Sequence, residues 1–143
     1  MTASDSGRTR REAPRGLLGM VHLLPLPGAP RWGGSMRAVL DRARADAAAL
    51  AAGGVDGIIV ENYGDLPFHP GPLPPETVAA LAVAAAAVRG ETDRPLGITA
   101  LRNDAAAALG VAAATGAAVI RGNVHTGAMV TDQGWIEGRA PET

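Results

Sequence analysis

Residues 57–60, Gly-Ile-Ile-Val, form an uninterrupted apolar run, and Glu61 and Asn62 follow at once. Such a run reads as a strand buried on both faces, the pattern of a parallel sheet. An acid and an amide then stand where strand gives way to loop. The device recurs along the chain. Residues 16–21 run into His22, 95–101 into Arg102-Asn103-Asp104, and 117–121 end on Arg121 with Asn123 close behind. Three helical stretches separate these runs. The first starts at Ser35, a good N-cap, and carries Val39, Leu40, Ala43, Ala47 and Leu50 at helical spacing up to Gly53, where the Gly53-Gly54 pair is predicted to end it through the left-handed conformation open to glycine. The second opens on Pro75-Glu76 and is predicted to stop at Gly90. The third runs from about Ala105, capped by Asn103 or Asp104, to Thr115-Gly116. Residues 122–143 read as a glycine-bearing loop with Trp135 and Ile136 as its large apolar residues.

Strands alternating with helices give a parallel sheet with right-handed crossovers. Strand, polar end, loop and capped helix together form the repeating unit of a (βα)8 barrel. A doubly wound nucleotide-binding sheet is the competing topology. The glycines after the first run, Gly28, Gly33 and Gly34, lack the G-x-G-x-x-G spacing, and no G-x-x-x-x-G-K-[ST] exists. The predicted fold class is therefore α/β, TIM-barrel-like, truncated to about four strands and three helices. Residues 1–15 are polar, arginine-bearing and aperiodic, and read as a disordered tail before a partial barrel domain over 16–143. A whole barrel takes about 250 residues. A partial one leaves its first and last strands as open edges that seek another strand. Three outcomes follow: a complementary half-barrel chain, a homo-oligomer, or a truncated product without function.

Charge and composition remove several classes of function. The 13 basic residues, all arginine, nearly balance 14 acidic ones, so there is no electrostatic case for nucleic acid. Cysteine is absent, which rules out disulfides, thiolate metal sites and a cysteine nucleophile and agrees with a cytoplasmic location. The arginines before Leu17–Leu24 imitate a signal peptide, but His22 interrupts the run, Pro25 and Pro27 follow it, and no A-x-A site exists. Residues 105–120 are too alanine-rich, and too broken by Gly110, Thr115 and Gly116, for a transmembrane segment.

On a barrel the strand ends share one rim, and ligands bind there. His22 and Glu61 are the candidate acid and base. Asn62, Asn103, Asp104 and Asn123 are candidate orienting or ligand-binding groups, and Arg121 is the candidate anion contact. Each has a structural alternative. His22 can satisfy a loop carbonyl, Glu61 and Arg121 can be each other's ion-pair partner, and Asn103 or Asp104 can cap a helix. The set suits a small polar ligand, phosphorylated or otherwise anionic. No spacing marks a metal site, and no motif specifies a cofactor.

Four blocks resemble the BtpA/SgcQ family: Gly19-Met-Val-His-Leu-Leu-Pro-Leu-Pro-Gly28, Gly54-Val-Asp-Gly-Ile-Ile-Val-Glu-Asn62, Leu101-Arg-Asn-Asp104 and Thr126-Gly-Ala-Met-Val-Thr-Asp-Gln-Gly134. They occur in order from about residue 16 onward. The resemblance implies a (βα)8-like barrel of which this chain is the N-terminal half. It also implies a link, in oxygenic phototrophs, to photosystem I biogenesis at the membrane surface. One departure is Gly122, where a larger apolar residue is expected beside the arginine. Two functions then compete: a barrel protein with a small-molecule site on the strand-end rim, inactive or nearly so as an isolated half, and a non-enzymatic assembly or stability factor. The location is cytoplasmic, with a membrane-peripheral one in the second case.

Overall fold

The structure is a computed structural model that describes residues 13–143. Most of the tail predicted over 1–15 lies outside the described residues. Four strands, β1 (Leu18–His22), β2 (Gly57–Glu61), β3 (Leu96–Thr99) and β4 (Val119–Ile120), form one sheet in the order β1-β2-β3-β4. All its pairings are parallel. Three helices connect them: α1 (Met36–Ala52), α2 (Pro75–Glu91) and α3 (Ala105–Thr115). The fold is thus mixed α/β with the alternation read from the sequence.

Each helix has a local reason to start. Ser35 accepts a hydrogen bond from the Ala38 amide at 3.2 Å, and Asp104 accepts one from Ala107 at 2.9 Å, each satisfying an otherwise orphaned first-turn donor. Pro75 opens α2, where no amide is needed. α1 stops at Gly53-Gly54 as read: Gly53 is its right-handed C-cap and Gly54 takes the positive φ of 82°. One stop differs from expectation. Gly90 lies inside α2, its missing side chain facing open space, and the chain leaves the helix only at the extended Thr92. Gly116 ends α3 at φ 67°, as its composition suggests.

The core lies between the sheet and the helices. Val21, Ile58, Val60, Leu96 and Ile98 point from the strands onto Val39, Ala43, Leu81, Ala84, Ala85, Val88, Ala108 and Val111. Burying each Val, Leu or Ile side chain is worth about 1.5–3 kcal/mol, so this face carries most of the stability. Thr77 fastens α2 to the first loop, donating from its hydroxyl to the Pro27 carbonyl at 2.6 Å. Strand alternation puts Met20, Ile59, Gly97 and Val119 on the opposite face. Contacts at Gly97 agree with this, since a Cβ there would meet Val119 at 2.9 Å and Ile59 at 3.1 Å.

Residues 122–143 are not the plain loop predicted. They hold an antiparallel hairpin, β5 (Ala128–Thr131) and β6 (Gly134–Glu137), with Val130 opposite Trp135 and Met129 opposite Ile136. The turn is closed by Gly134 at φ 94° and by the Thr131 hydroxyl, which donates to the Gly134 carbonyl at 3.0 Å. The third and fourth strands are also shorter than predicted. After Thr99 the chain bends at once through 100–104, whose polar side chains take over the backbone pairing.

Candidate functional site

The parallel register aligns four side chains in one row across the sheet. His22 pairs with Glu61, and Glu61 with Thr99. Ile98 pairs with Ile120, and the Arg121 amide continues that ladder by donating to the Ile98 carbonyl at 2.9 Å, which sets Arg121 beside Thr99. Period-two alternation turns all four away from the helices. The row sits at the carboxyl ends of the strands, where the loops open.

Glu61 is the hub. It is only 4% exposed, so its charge needs partners. It has two, one on each oxygen: His22 Nε2 lies 3.0 Å from Oε2, and Arg121 donates to Oε1 at 3.1 Å. Both partners are about half exposed at the opening. The imidazole of His22 stacks on the Tyr63 ring at 4.5 Å, the two planes 20° apart, and Tyr63 leans on Phe68. The Arg102 guanidinium covers the Phe68 ring at 4.8 Å. Arg102 is tied in turn to the hairpin, donating to Gln133 Oε1 at 2.6 Å and pairing with Asp132. The Gln133 amide, and then Arg102, hold the Asp132 carboxyl below its ordinary value. His22, Glu61, Tyr63, Arg102, Arg121 and Asn123, with Met20, Phe68 and Leu101, enclose a hollow of about 400 Å³.

The remaining predicted residues hold this arrangement together. Asn62 is fully buried: its carbonyl accepts from the Leu101 amide at 2.7 Å and its amide donates to Asp65 at 2.8 Å. Asp65 accepts in addition from the Leu26 amide at 2.8 Å, so the pair clamps three loops. Burial pushes the Asp65 carboxyl above its ordinary value, against the pull of the Leu26 and Asn62 donors. Asn103 receives the amides of Asn123 and Val124 at 3.0 and 2.9 Å and donates to the Val124 carbonyl at 2.8 Å. Asp104 caps α3 and accepts from the Leu73 amide at 2.8 Å. Asn123 faces the hollow while donating to the Arg102 carbonyl at 3.0 Å. The structure thus brings His22, Glu61, Arg121 and Asn123 to one opening and sets Asn62, Asn103 and Asp104 behind it.

Three polar or aromatic lining residues are given no role by the sequence: Tyr63, Phe68 and Arg102. The polar–aromatic loop directly after Glu61 is the signal for the first two, and the strand-end position of Arg102 is the signal for the third. Thr99 is a fourth omission, legible only by counting register from the strand ends. A larger hollow, about 470 Å³, lies between the start of α3 and the hairpin. Its Asn103 and Asp104 are already committed to backbone partners, so the strand-end opening is the stronger site. Among the described residues no group of three His, Asp or Glu side chains is placed to hold a metal ion.

Fold and cluster together define a parallel α/β protein with an ion-paired polar site at the carboxyl ends of its strands. Residues 13–143 match the model of the BtpA family, and the chain belongs to that family. Over 126 residues, 88% of this chain, it is 52% identical to the photosystem I biogenesis protein BtpA of Synechocystis, of which that stretch is 44%. An uncharacterized protein of Pyrococcus furiosus is also 52% identical over 126 residues, 88% of this chain and 48% of the relative. An uncharacterized mitochondrial protein of Caenorhabditis elegans is 38% identical over 129 residues, 87% of this chain and 47% of the relative. The chain thus spans about half the length of the curated relatives it matches. No solved structure matches it.

Proposed function

We propose that this chain is part of a (βα)8 barrel and that the strand-end opening binds a small anionic ligand, of the phosphate or carboxylate class, beside a proton-transferring histidine. The observation that supports this best is Glu61, a buried carboxylate that carries a half-exposed histidine on one oxygen and a half-exposed arginine on the other. An ion pair needed only for stability gains nothing from an imidazole aimed at open space. Glu61 fixes the ring through Nε2, the orienting role of an acid behind a histidine. The other ring nitrogen, Nδ1, is left for a ligand proton. Arg121 offers its N–H groups to an anion, and Asn123 stands beside it. In this division of labour His22 is the acid/base and Glu61 its support. Asn62, Asn103 and Asp104 act on the ligand only through the loops they hold.

β1 and β4 each have one neighbour among the described residues. Further βα units would complete the barrel, supplied by more of the same polypeptide, a complementary chain or a second copy. The test is binding of inorganic phosphate and of small phosphorylated and carboxylated compounds, by calorimetry, to the wild type, His22→Ala and Arg121→Met. Binding that is saturable and is lost in Arg121→Met supports the reading. Equal binding by all three proteins removes it.

A second reading has its own support. The likeness to a photosystem I biogenesis protein and the exposed apolar residues Met129, Val130 and Trp135 of the hairpin fit an assembly or stability factor that docks on another protein. Among the described residues no helix is long and apolar enough to cross a membrane. Val130→Ser with Trp135→Ser would abolish such a factor's action, and His22→Ala would spare it.

A further inference from the structure

Thr99 is 1% exposed, and its hydroxyl makes no hydrogen bond with any described group. A buried hydroxyl without a partner is costly, and valine would fill the same space without that cost. Thr99 stands where the cost has a use. It occupies the third place in the row His22–Glu61–Thr99–Arg121. The Glu61–Arg121 ion pair joins residues on the two strands flanking β3, so it passes over Thr99 and roofs it. The direction of the side chain follows from Gly97, two residues earlier, where a Cβ would touch Ile59 and Val119. Two residues on, the same face puts Thr99 between Glu61 and Arg121. Glu61 and Thr99 are register partners on strands about 4.8 Å apart, the spacing at which side chains on one face of a sheet interact.

We propose that Thr99 is the reserve donor to Glu61. When an anion draws Arg121 toward the opening, Glu61 Oε1 loses its partner, and the Thr99 hydroxyl donates to that oxygen in its place. Glu61 then stays anchored behind His22 while Arg121 serves the ligand. Thr99 is a positioning residue in this scheme and touches no reacting atom. The scheme rests on the anion-site reading for its biological use, but the hydrogen-bond exchange is testable without any ligand, by removing Arg121.

The experiment is a double-variant cycle read by urea denaturation of the chain, with Thr99→Val, Arg121→Met and the combination. In the otherwise intact protein Thr99→Val should leave the unfolding midpoint unchanged or raise it. In the Arg121→Met background the same change should raise the unfolding equilibrium constant about tenfold, the worth of one hydrogen bond to a charged group. Thr99→Ser in that background should restore the lost stability. If Arg121→Met alone does not fold, Arg121→Gln replaces it. A stability loss from Thr99→Val that is the same in both backgrounds overturns the proposal, because the hydroxyl would then have a purely local role. A clear loss in the intact protein overturns it too. An anion titration that fails while the cycle shows coupling would remove the ligand-site reading and leave the exchange standing.

Discussion

Asn62→Ala offers the sharpest test of how the site is held. Two loops meet at this side chain, and its partner Asp65 ties in a third. Removing it leaves the buried Leu101 amide without its 2.7 Å acceptor and Asp65 without its 2.8 Å donor. An unsatisfied buried amide costs about 1–3 kcal/mol, and a hydrogen bond to a charged group is worth about 1.5–3 kcal/mol. The two losses share one network, so they are not fully additive. A destabilisation of about 3–4 kcal/mol is expected, a large share of the ~5–15 kcal/mol that holds a typical domain. In thermal terms this is a fall of roughly 10 °C for a chain of this size. Urea denaturation at pH 7 followed by circular dichroism measures it, provided that the transition is two-state. A second readout is local: the Leu101 amide should lose its protection from hydrogen exchange. A change below about 1 kcal/mol, with Leu101 still protected, would mean that Asn62 is not the clamp and is free to act at the opening.

Asp65→Asn replaces one acceptor oxygen by a donor facing either the Leu26 or the Asn62 amide, at a cost of about 1–3 kcal/mol near neutral pH. Its pH dependence has a fixed sign. Burial raises the folded-state value above 3.8, so the folded chain binds more protons than the unfolded one. Asp65's contribution is therefore fully present below about pH 3.8 and is lost as pH rises through the raised value. The stability of the wild type relative to Asp65→Asn should therefore fall as pH rises, as equilibrium unfolding of both proteins between pH 3 and 7 will show. Gly64→Ala should destabilise by about 2–3 kcal/mol, since the new methyl would meet the Leu23 carbonyl oxygen at 2.5 Å and the Pro25 nitrogen at 2.6 Å, both backbone atoms. Denaturation reads this directly, and a neutral result would contradict the packing of Tyr63–Asp65 on the first loop. Asp104→Ala should cost about 1–2 kcal/mol through loss of the α3 cap and the Leu73 tie, with a matching fall in the urea midpoint.

Much of the architecture is legible from local pattern. The β-branched run at 57–60 and the capped, alanine-rich helices are backbone choices made by neighbours in sequence, and they reappear as β2, α1, α2 and α3. The hairpin escapes because its large apolar residues, Met129, Val130, Trp135 and Ile136, are too few and too scattered among glycine and polar residues to read as strands. Their pairing depends on a turn at Asp132-Gln133 and on Arg102 reaching across from another loop. The site divides in the same way. Strand-end position identifies His22, Glu61 and Arg121, because parallel strands in register carry their last residues to one edge. It does not separate Asn62 from Glu61, although one side chain bears the partners of the opening and the other is sealed beneath it. That difference is a matter of alternation and loop closure. Thr99 has no polar-cluster signature at all, and only the register with Glu61 gives it a place.

The central claim is that His22, Glu61 and Arg121 form one anion-binding opening. The most direct measurement is titration of the chain with inorganic phosphate, watched through the imidazole resonances of its three histidines by NMR. The account predicts a saturable shift at His22 alone, retained in Trp135→Ser and lost in Arg121→Met. No saturable shift at His22, or an equal one in Arg121→Met, would contradict it.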